Sequence, residues 1–240
     1  MPNTGRVKFN RVSGSTELLS PGFLDYLVAL NEKFKSTIIE LREKRSEVLK
    51  KAQGGILPTY MPSSESTTGN WTLGEIPQEL QNPGIEISGP ASVTNMFINA
   101  VNPGPDGTRA EGYLDDDEDA SGHRFIDTVT SASNRLGAVK RTLTFYDSSK
   151  NRNYTIKDGD LPFFMHRERG LALDEPEVTI DDQAIPAAIL GTALTMYWAG
   201  RAQLKRGQGV YFYLPKLESA EEAGMWRDFF DFSREYFKLS

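Results

Sequence analysis

The 240 residues are 38% hydrophobic and 25% charged, a balance that excludes wholesale disorder, collagen-like repeats and disulfide-stapled miniproteins. The absence of cysteine removes disulfides, thiolate metal sites and cysteine nucleophiles together. With 27 Lys and Arg against 33 Asp and Glu the net charge is −6, and no arginine-rich stripe offsets it, so nucleic acid is a poor partner.

In chain order, Ser20 before Pro21 reads as a helix N-cap with proline at the first helical position. Leu27, Leu30, Phe34, Ile38, Leu41 and Val48 then recur at helical spacing until Gly54 and Gly55, which predicts one long amphipathic helix acting as a clasp. Prolines 58, 62, 77 and 83 among Ser and Thr predict an irregular connector. A boundary near 84 divides the chain into a clasp and connector (1–84) and a following unit (85–240).

In the second part, short strands are expected at 85–87, 111–114, 142–146 and 163–165, with helices at 93–101 and 125–136. Residues 187–206 read as one helix, 210–214 (VYFYL) as a buried strand, and Ser219 with Glu222 as a capping box. The helix it opens should bury Trp226, Phe229, Phe230 and Phe237. Strand and helix alternation points to an α/β fold with a parallel sheet.

Two segments invite chemistry. Asp115-Asp116-Asp117-Glu118-Asp119 is either a cation site or a solvated loop. As a calcium loop it fails, because Ala120 replaces the turn glycine and Ile126 the bidentate acid. His166-Arg167-Glu168-Arg169-Gly170 follows a predicted strand, where an arginine could hold an anion or a developing oxyanion, or belong to a surface ion-pair cluster. Lys216, after VYFYL, shares that ambiguity. His123 and His166 lack the Ser and Asp spacing of a triad and read as structural or exposed.

The runs NWTLGEIPQEL (70–80), IEISGP (85–90), INAVN (98–102), DDDEDA (115–120), RERGLAL (167–173) and YFYLPKLES (211–219) resemble malate synthase in order and spacing. The resemblance covers about residues 17–240. It implies a TIM-type (β/α) barrel, here partial, behind an N-terminal helical clasp, and condensation of acetyl-CoA with glyoxylate to malate in the glyoxylate cycle. By the same resemblance Arg167 takes the place of the catalytic arginine, Asp116 and Glu118 face substrate or metal-bound water, and Lys216 shares their rim.

Some residues depart from the family pattern. Asp115 and Asp117 stand where the family prefers Ala and Phe, Ala172 replaces a histidine, and Ser131-Ala132 replaces a Gly-Gln pair, with Asn134 retained. The resemblance places the magnesium Glu and Asp, the coenzyme A contacts and the aspartate base in strands after YFYLPK, beyond Ser240. Mg2+, the family's metal, is therefore expected to bind weakly or not at all, with no metal ligand assigned. The 156 residues from 85 onward fall short of the roughly 250 of a full barrel. The chain is expected to be truncated and inactive alone, and to need a complementing chain or a homo-oligomer at an open barrel edge. The alternatives are a non-catalytic binding protein on the same scaffold and an enzyme with a rebuilt site for another small oxo acid. No apolar run reaches the roughly 20 residues of a membrane helix, and MPNTGRVKFN is neither signal nor transit peptide. No membrane partner is expected. A cytoplasmic location follows, with the peroxisome or glyoxysome as the address the resemblance allows.

Overall fold

The computed structural model describes residues 5–81 and 84–239; Pro83 of the connector and Ser240 lie outside the described residues. Among the described residues nine strands and eight α-helices follow in chain order. Strand β1 (Val7–Phe9), the short α1 (Ser15–Leu18) and the long α2 (Pro21–Gln53) lead into a connector with a helical turn, α3 (Glu65–Thr68). Then come β2 (Glu86–Pro90), α4 (Thr94–Val101), β3 (Gly112–Asp116), α5 (Phe125–Lys140), and the hairpin of β4 (Thr144–Asp147) and β5 (Arg152–Thr155). The chain continues through β6 (Phe163–Arg167), β7 (Asp174–Ile180), β8 (Gln183–Pro186), α6 (Ala187–Leu194), α7 (Arg201–Leu204), β9 (Tyr211–Phe212) and α8 (Ala220–Tyr236).

Four of the strands form one sheet in the order β2-β3-β6-β9, every neighbouring pair parallel. A helix follows each strand before the next, the arrangement expected of successive βα units. The strands ending near 114, 165 and 214 in the sequence reading therefore do lie side by side and parallel, although β3 and β6 run on to Asp116 and Arg167. The VYFYL run is shorter and less buried than its composition suggests: only Tyr211 and Phe212 are strand, both half-buried. Among the described residues it is the last strand of the sheet, and Glu79 of the connector bonds the Tyr211 hydroxyl there.

The second sheet, β1-β7-β8, is antiparallel and was not foreseen. Its central strand carries Pro176 among acids, a poor strand signature, and the proline is accommodated where the β7–β8 register shifts between Glu175 and Thr179. Hairpin β4–β5 was half foreseen, as a strand over 142–146 with no partner; β5 pairs with it antiparallel, and Asn151 takes a left-handed φ of 46° in the turn between them.

Helix α2 matches the expected clasp. Leu27, Leu30, Phe34, Ile38 and Leu41 are buried, and the helix lies against α6, α8 and β8. Its first half is covered on several faces by an aromatic group in which Tyr26 contacts Tyr197, Tyr236 and Phe237. Val48 does not join the stripe; it is 48% exposed, beyond the end of the supporting layer. Ser20 sits at the N-cap position, but its hydroxyl makes no capping bond. Glu222 amide donates to Ser219 Oγ at 3.3 Å, one half of the expected box. The other half is missing because the Glu222 carboxylate is taken by Arg45 of α2 (2.6 and 2.7 Å). In α8, Trp226 and Phe229 are buried while Phe230 and Phe237 are only partly so. The helix expected over 187–206 changes pitch: residues Thr195–Gly200 form a π-helical turn between α6 and α7.

Phe34→Ala should lower unfolding free energy by about 3–5 kcal/mol, since Phe34 packs on Phe229 and Phe232 in the α2–α8 layer. Val48→Ala should change it by no more than about 0.5 kcal/mol. Urea unfolding of the two variants checks the depth of the clasp.

Candidate functional site

Strands β3 and β6 are in register such that Asp115 opposes His166 and Asp116 opposes Arg167. Alternation along a strand sends these two pairs to opposite faces of the sheet. Each pair forms an ionic or hydrogen-bonded contact, one under the helices and the other at the carboxyl rim.

At the rim, Asp116 and Arg167 form a fork: Arg167 Nε donates to Asp116 Oδ1 at 2.8 Å and Nη2 bonds Oδ2. Nη2 also lies 3.1 Å from Asp119. The amides of Glu118 and Asp119 donate to Asp116 Oδ1 at 2.9 and 3.1 Å. Burial raises the Asp116 carboxyl, but the Arg167 fork and these amides outweigh it and hold the group below the usual carboxylate range. Lys216 Nζ bridges Glu118 and Asp119, 2.8 Å from each. The Asp119 and Glu118 bonds raise its ammonium above the ordinary lysine value. Gly170 amide donates to Glu118 at 2.7 Å, and the Arg167 guanidinium lies 5.7 Å from the Tyr213 ring.

The four predicted site residues, Arg167, Asp116, Glu118 and Lys216, thus stand together, from chain positions up to 100 apart, with Asp119 and Tyr213 as members the sequence reading missed. The clasp reaches the same rim. Arg45 of α2 donates to Lys216 carbonyl at 2.9 Å, and Arg42 donates to Leu171 and Leu173 carbonyls at 2.5 and 2.9 Å. Two arginines on one helix therefore brace the loops after β6 and β9, and Lys216 adopts a left-handed φ of 51° in one of them.

The opposite pair is buried in a polar network. His166 Nδ1 is 2.6 Å from Asp115 Oδ2, and Nε2 is 3.1 Å from Gln203. Arg135 of α5, itself buried, lies 2.6 Å from Asp115, 3.1 Å from Asp117 and 2.8 Å from Glu168. Ser131 donates to Asp117 at 2.6 Å, and Thr195 to Glu168 at 2.5 Å. Asp117 Oδ2 is within ion-pair distance of Arg135 but out of line for a hydrogen bond, so it is left without a donor. Its desolvation, added to by Glu168 and only partly relieved by Arg135, pushes the Asp117 carboxyl up to about 6. Gly191 is required here: a Cβ at that position would stand 2.5 Å from Glu168 Oε2.

These contacts correct two sequence readings. The acidic run is not a solvated loop, because Asp115 to Glu118 are all buried and only Asp119 stays in water. The 166–170 run is not a surface cluster either, since His166, Glu168 and Arg169 are buried, Arg169 against Glu175 at 2.8 Å. His123 is exposed, its Nε2 2.8 Å from Glu118 carbonyl. Among the described residues no three carboxylate or imidazole groups converge as a cation site, and the rim acids already face Arg167 and Lys216. The residues present do not by themselves fit a resident Mg2+.

A family model described as malate synthase, TIM barrel domain, matches residues 163–240. The chain is 33% identical over 215 residues to malate synthase of Myxococcus xanthus, covering 89% of this chain and 38% of that protein. This chain is related to the malate synthases. Glyoxysomal malate synthase of Candida tropicalis is 30% identical over 90% of the chain and 39% of its own length. The bifunctional glyoxylate cycle protein of Caenorhabditis elegans is 29% identical over 95% of the chain and 23% of its own length. The chain thus spans less than two-fifths of the length of each of these relatives. No helix among the described residues is long and apolar enough to cross a membrane.

Asp117 titrates from a raised value in the fold. Between the ordinary 3.8 and about 6 the folded state keeps a proton that the unfolded state has lost, so this group's contribution falls as pH rises through that window. Asp117→Asn should remove that loss, so that its stability relative to the parent rises by about 1–3 kcal/mol between pH 4 and pH 7; urea unfolding at both values measures it. Arg135→Met leaves three buried acids without their cation and should cost about 3–5 kcal/mol at pH 7, read by the same assay.

Proposed function

We propose that the rim is the arginine-bearing side of a malate synthase-type site, which joins acetyl-CoA to glyoxylate in the glyoxylate cycle. In this reading β2, β3, β6 and β9 with their helices are the first four units of a TIM-type barrel. Residues 1–84 serve as clasp and connector, and 85–240 as the barrel-forming part. The observation that carries the reading is Arg167, held by Asp116 at the carboxyl ends of parallel strands, where barrel enzymes place their chemistry.

A guanidinium oriented in advance can meet the charge that develops on an enolate oxygen without reorganising. Nε and Nη2 are engaged by Asp116 and Asp119, which leaves Nη1 outside these bonds as the donor for a reacting oxygen. Proton abstraction needs a base, and each rim carboxylate is already engaged: Asp116 by Arg167, Glu118 by Lys216, Asp119 by both. The base and any metal ligands must come from residues other than these. Asp115 and Asp117, which depart from the family pattern, pair with Arg135 under the helices, so they leave the rim undisturbed. Two relatives named as glyoxysomal support a glyoxysomal site of action over a cytoplasmic one.

The chain alone, given acetyl-CoA, glyoxylate and Mg2+, should release no thiol above background. Adding the part of the Myxococcus xanthus enzyme that follows the matched region should restore release, and Arg167→Lys in the complemented pair should lower kcat by about 10²–10³. Turnover by the chain alone would favour a rebuilt site. Complemented turnover indifferent to Arg167→Lys would remove the arginine from the mechanism.

A further inference from the structure

The loops that precede β3 and β6 gather at the amino ends of the parallel strands, the end opposite the rim. Between the last turn of α4 and strand β5 lies a cavity of about 340 Å³, the size of a small-molecule site. Asn99, Arg152, Asn153 and Lys157 give it a polar side, and Ile98 and Pro103 an apolar one. No Asp or Glu lines it, although the chain as a whole is acidic.

The cavity is fixed from behind. Asn102 Nδ2 donates to Thr155 carbonyl, and Asn102 Oδ1 accepts from Lys157 amide, both at 2.8 Å. Lys157 carbonyl accepts from Arg109 at 2.8 Å and from Arg141 at 3.1 Å. The backbone of Lys157 is thus held three times over, while among the described residues its ammonium enters no hydrogen bond or ion pair. Arg152 lies over the ring of the buried Tyr154, 4.6 Å from the ring centroid. That stacking orients the guanidinium, yet its N–H donors and the side-chain amides of Asn99 and Asn153 are unengaged as well. Elsewhere in the chain this is not the habit of arginine: Arg42, Arg45, Arg124, Arg135, Arg167 and Arg169 all hold carboxylates.

The acceptors close by are already used. Asp106, the acid of the loop before β3, accepts from Thr108 amide at 3.0 Å. At the carboxyl end of α4, Asn99 carbonyl accepts from Asn102 amide, and Val101 carbonyl from Arg109 at 3.1 Å. What the cavity offers a ligand is therefore a set of free donors, two of them cationic.

We propose that this cavity binds a phosphate monoester of a small hydroxylated molecule. At neutral pH such a phosphate carries close to two negative charges, which Arg152 and Lys157 match. The guanidinium supplies a planar pair of donors to two phosphate oxygens, and the ammonium a point charge to the third. Ile98 and Pro103 then meet the carbon part, and the Asn99 and Asn153 amides its hydroxyl groups. The site stands at the far end of the sheet from Arg167 and does not depend on the reading of the rim.

The test is calorimetric titration of the 240-residue chain at low ionic strength with glycerol 3-phosphate, a small hydroxylated phosphate monoester. Inorganic phosphate and succinate, a dicarboxylate of like charge, are titrated beside it. Glycerol 3-phosphate should fill a single saturable site, and Arg152→Gln and Lys157→Gln should each weaken it about tenfold or more. Lys50→Gln, which removes an exposed cation at the end of α2, should leave the affinity unchanged. Arg152 and Lys157 are exposed, so both variants should keep the far-ultraviolet circular dichroism of the parent. The proposal is overturned by the absence of saturable heat at millimolar ligand, or by binding that both variants leave intact. Succinate or inorganic phosphate binding as tightly as glycerol 3-phosphate overturns it too. So does binding that is lost in Arg167→Lys and kept in the two cavity variants, which would place the anion at the rim.

Discussion

Arg135 is the single cation that three buried carboxylates share, and the layers of the molecule meet around it. It stands on α5, Asp115 and Asp117 belong to β3 and the residue after it, and Glu168 follows β6. His166 and Gln203 extend the network to the helix after the π turn. Burying charges on this scale is costly, and the cost is met only when the partners are fixed in good geometry. The network therefore demands that sheet, α5 and the α6–α7 helix hold one relative position. That is the same position that lines up Asp116 with Arg167 on the reverse face of the two strands. The rim's geometry is thus set by polar contacts buried on the other face of the sheet.

The clasp adds a second constraint. Apolar packing holds the first half of α2, while Arg42 and Arg45 extend from its second half to the loops after β6 and β9. Burial raises the Glu222 carboxyl, yet Arg45 and the Glu218 amide more than offset it and keep the group below its ordinary range. A helix far from the rim in sequence thereby fixes the backbone that carries Lys216. Loops elsewhere on such sheets are free to vary; these two are tied from outside.

How much of this the sequence reveals depends on the range over which each signal acts. The clasp was legible because its stripe repeats within one helix, and the rim because the motifs that resemble malate synthase fall at strand ends. The burial of Asp115 to Glu118 was not. Five adjacent acids read as solvated by any local rule, and the compensation comes from Arg135, Ser131, Arg167 and Lys216, at distances along the chain that no periodicity links. His166 was underdetermined for the same reason, since its partners lie 51 residues before and 37 after it. The β1-β7-β8 sheet was hidden by Pro176 and by acids on a strand whose partner, β1, is some 170 residues away.

The π turn at Thr195–Gly200 carries one more residue in its loop of backbone than an α-helix would. Thr195 at its start bonds Glu168, and Gln203 beyond its end bonds His166. Both contacts can be met by one continuous helix only if the intervening count is kept. Losing one residue would let the turn relax to ordinary pitch while swinging everything after it by about 100° around the axis, carrying Gln203 off the imidazole. The segment is thus a spacer with a fixed tally, intolerant of any change of length.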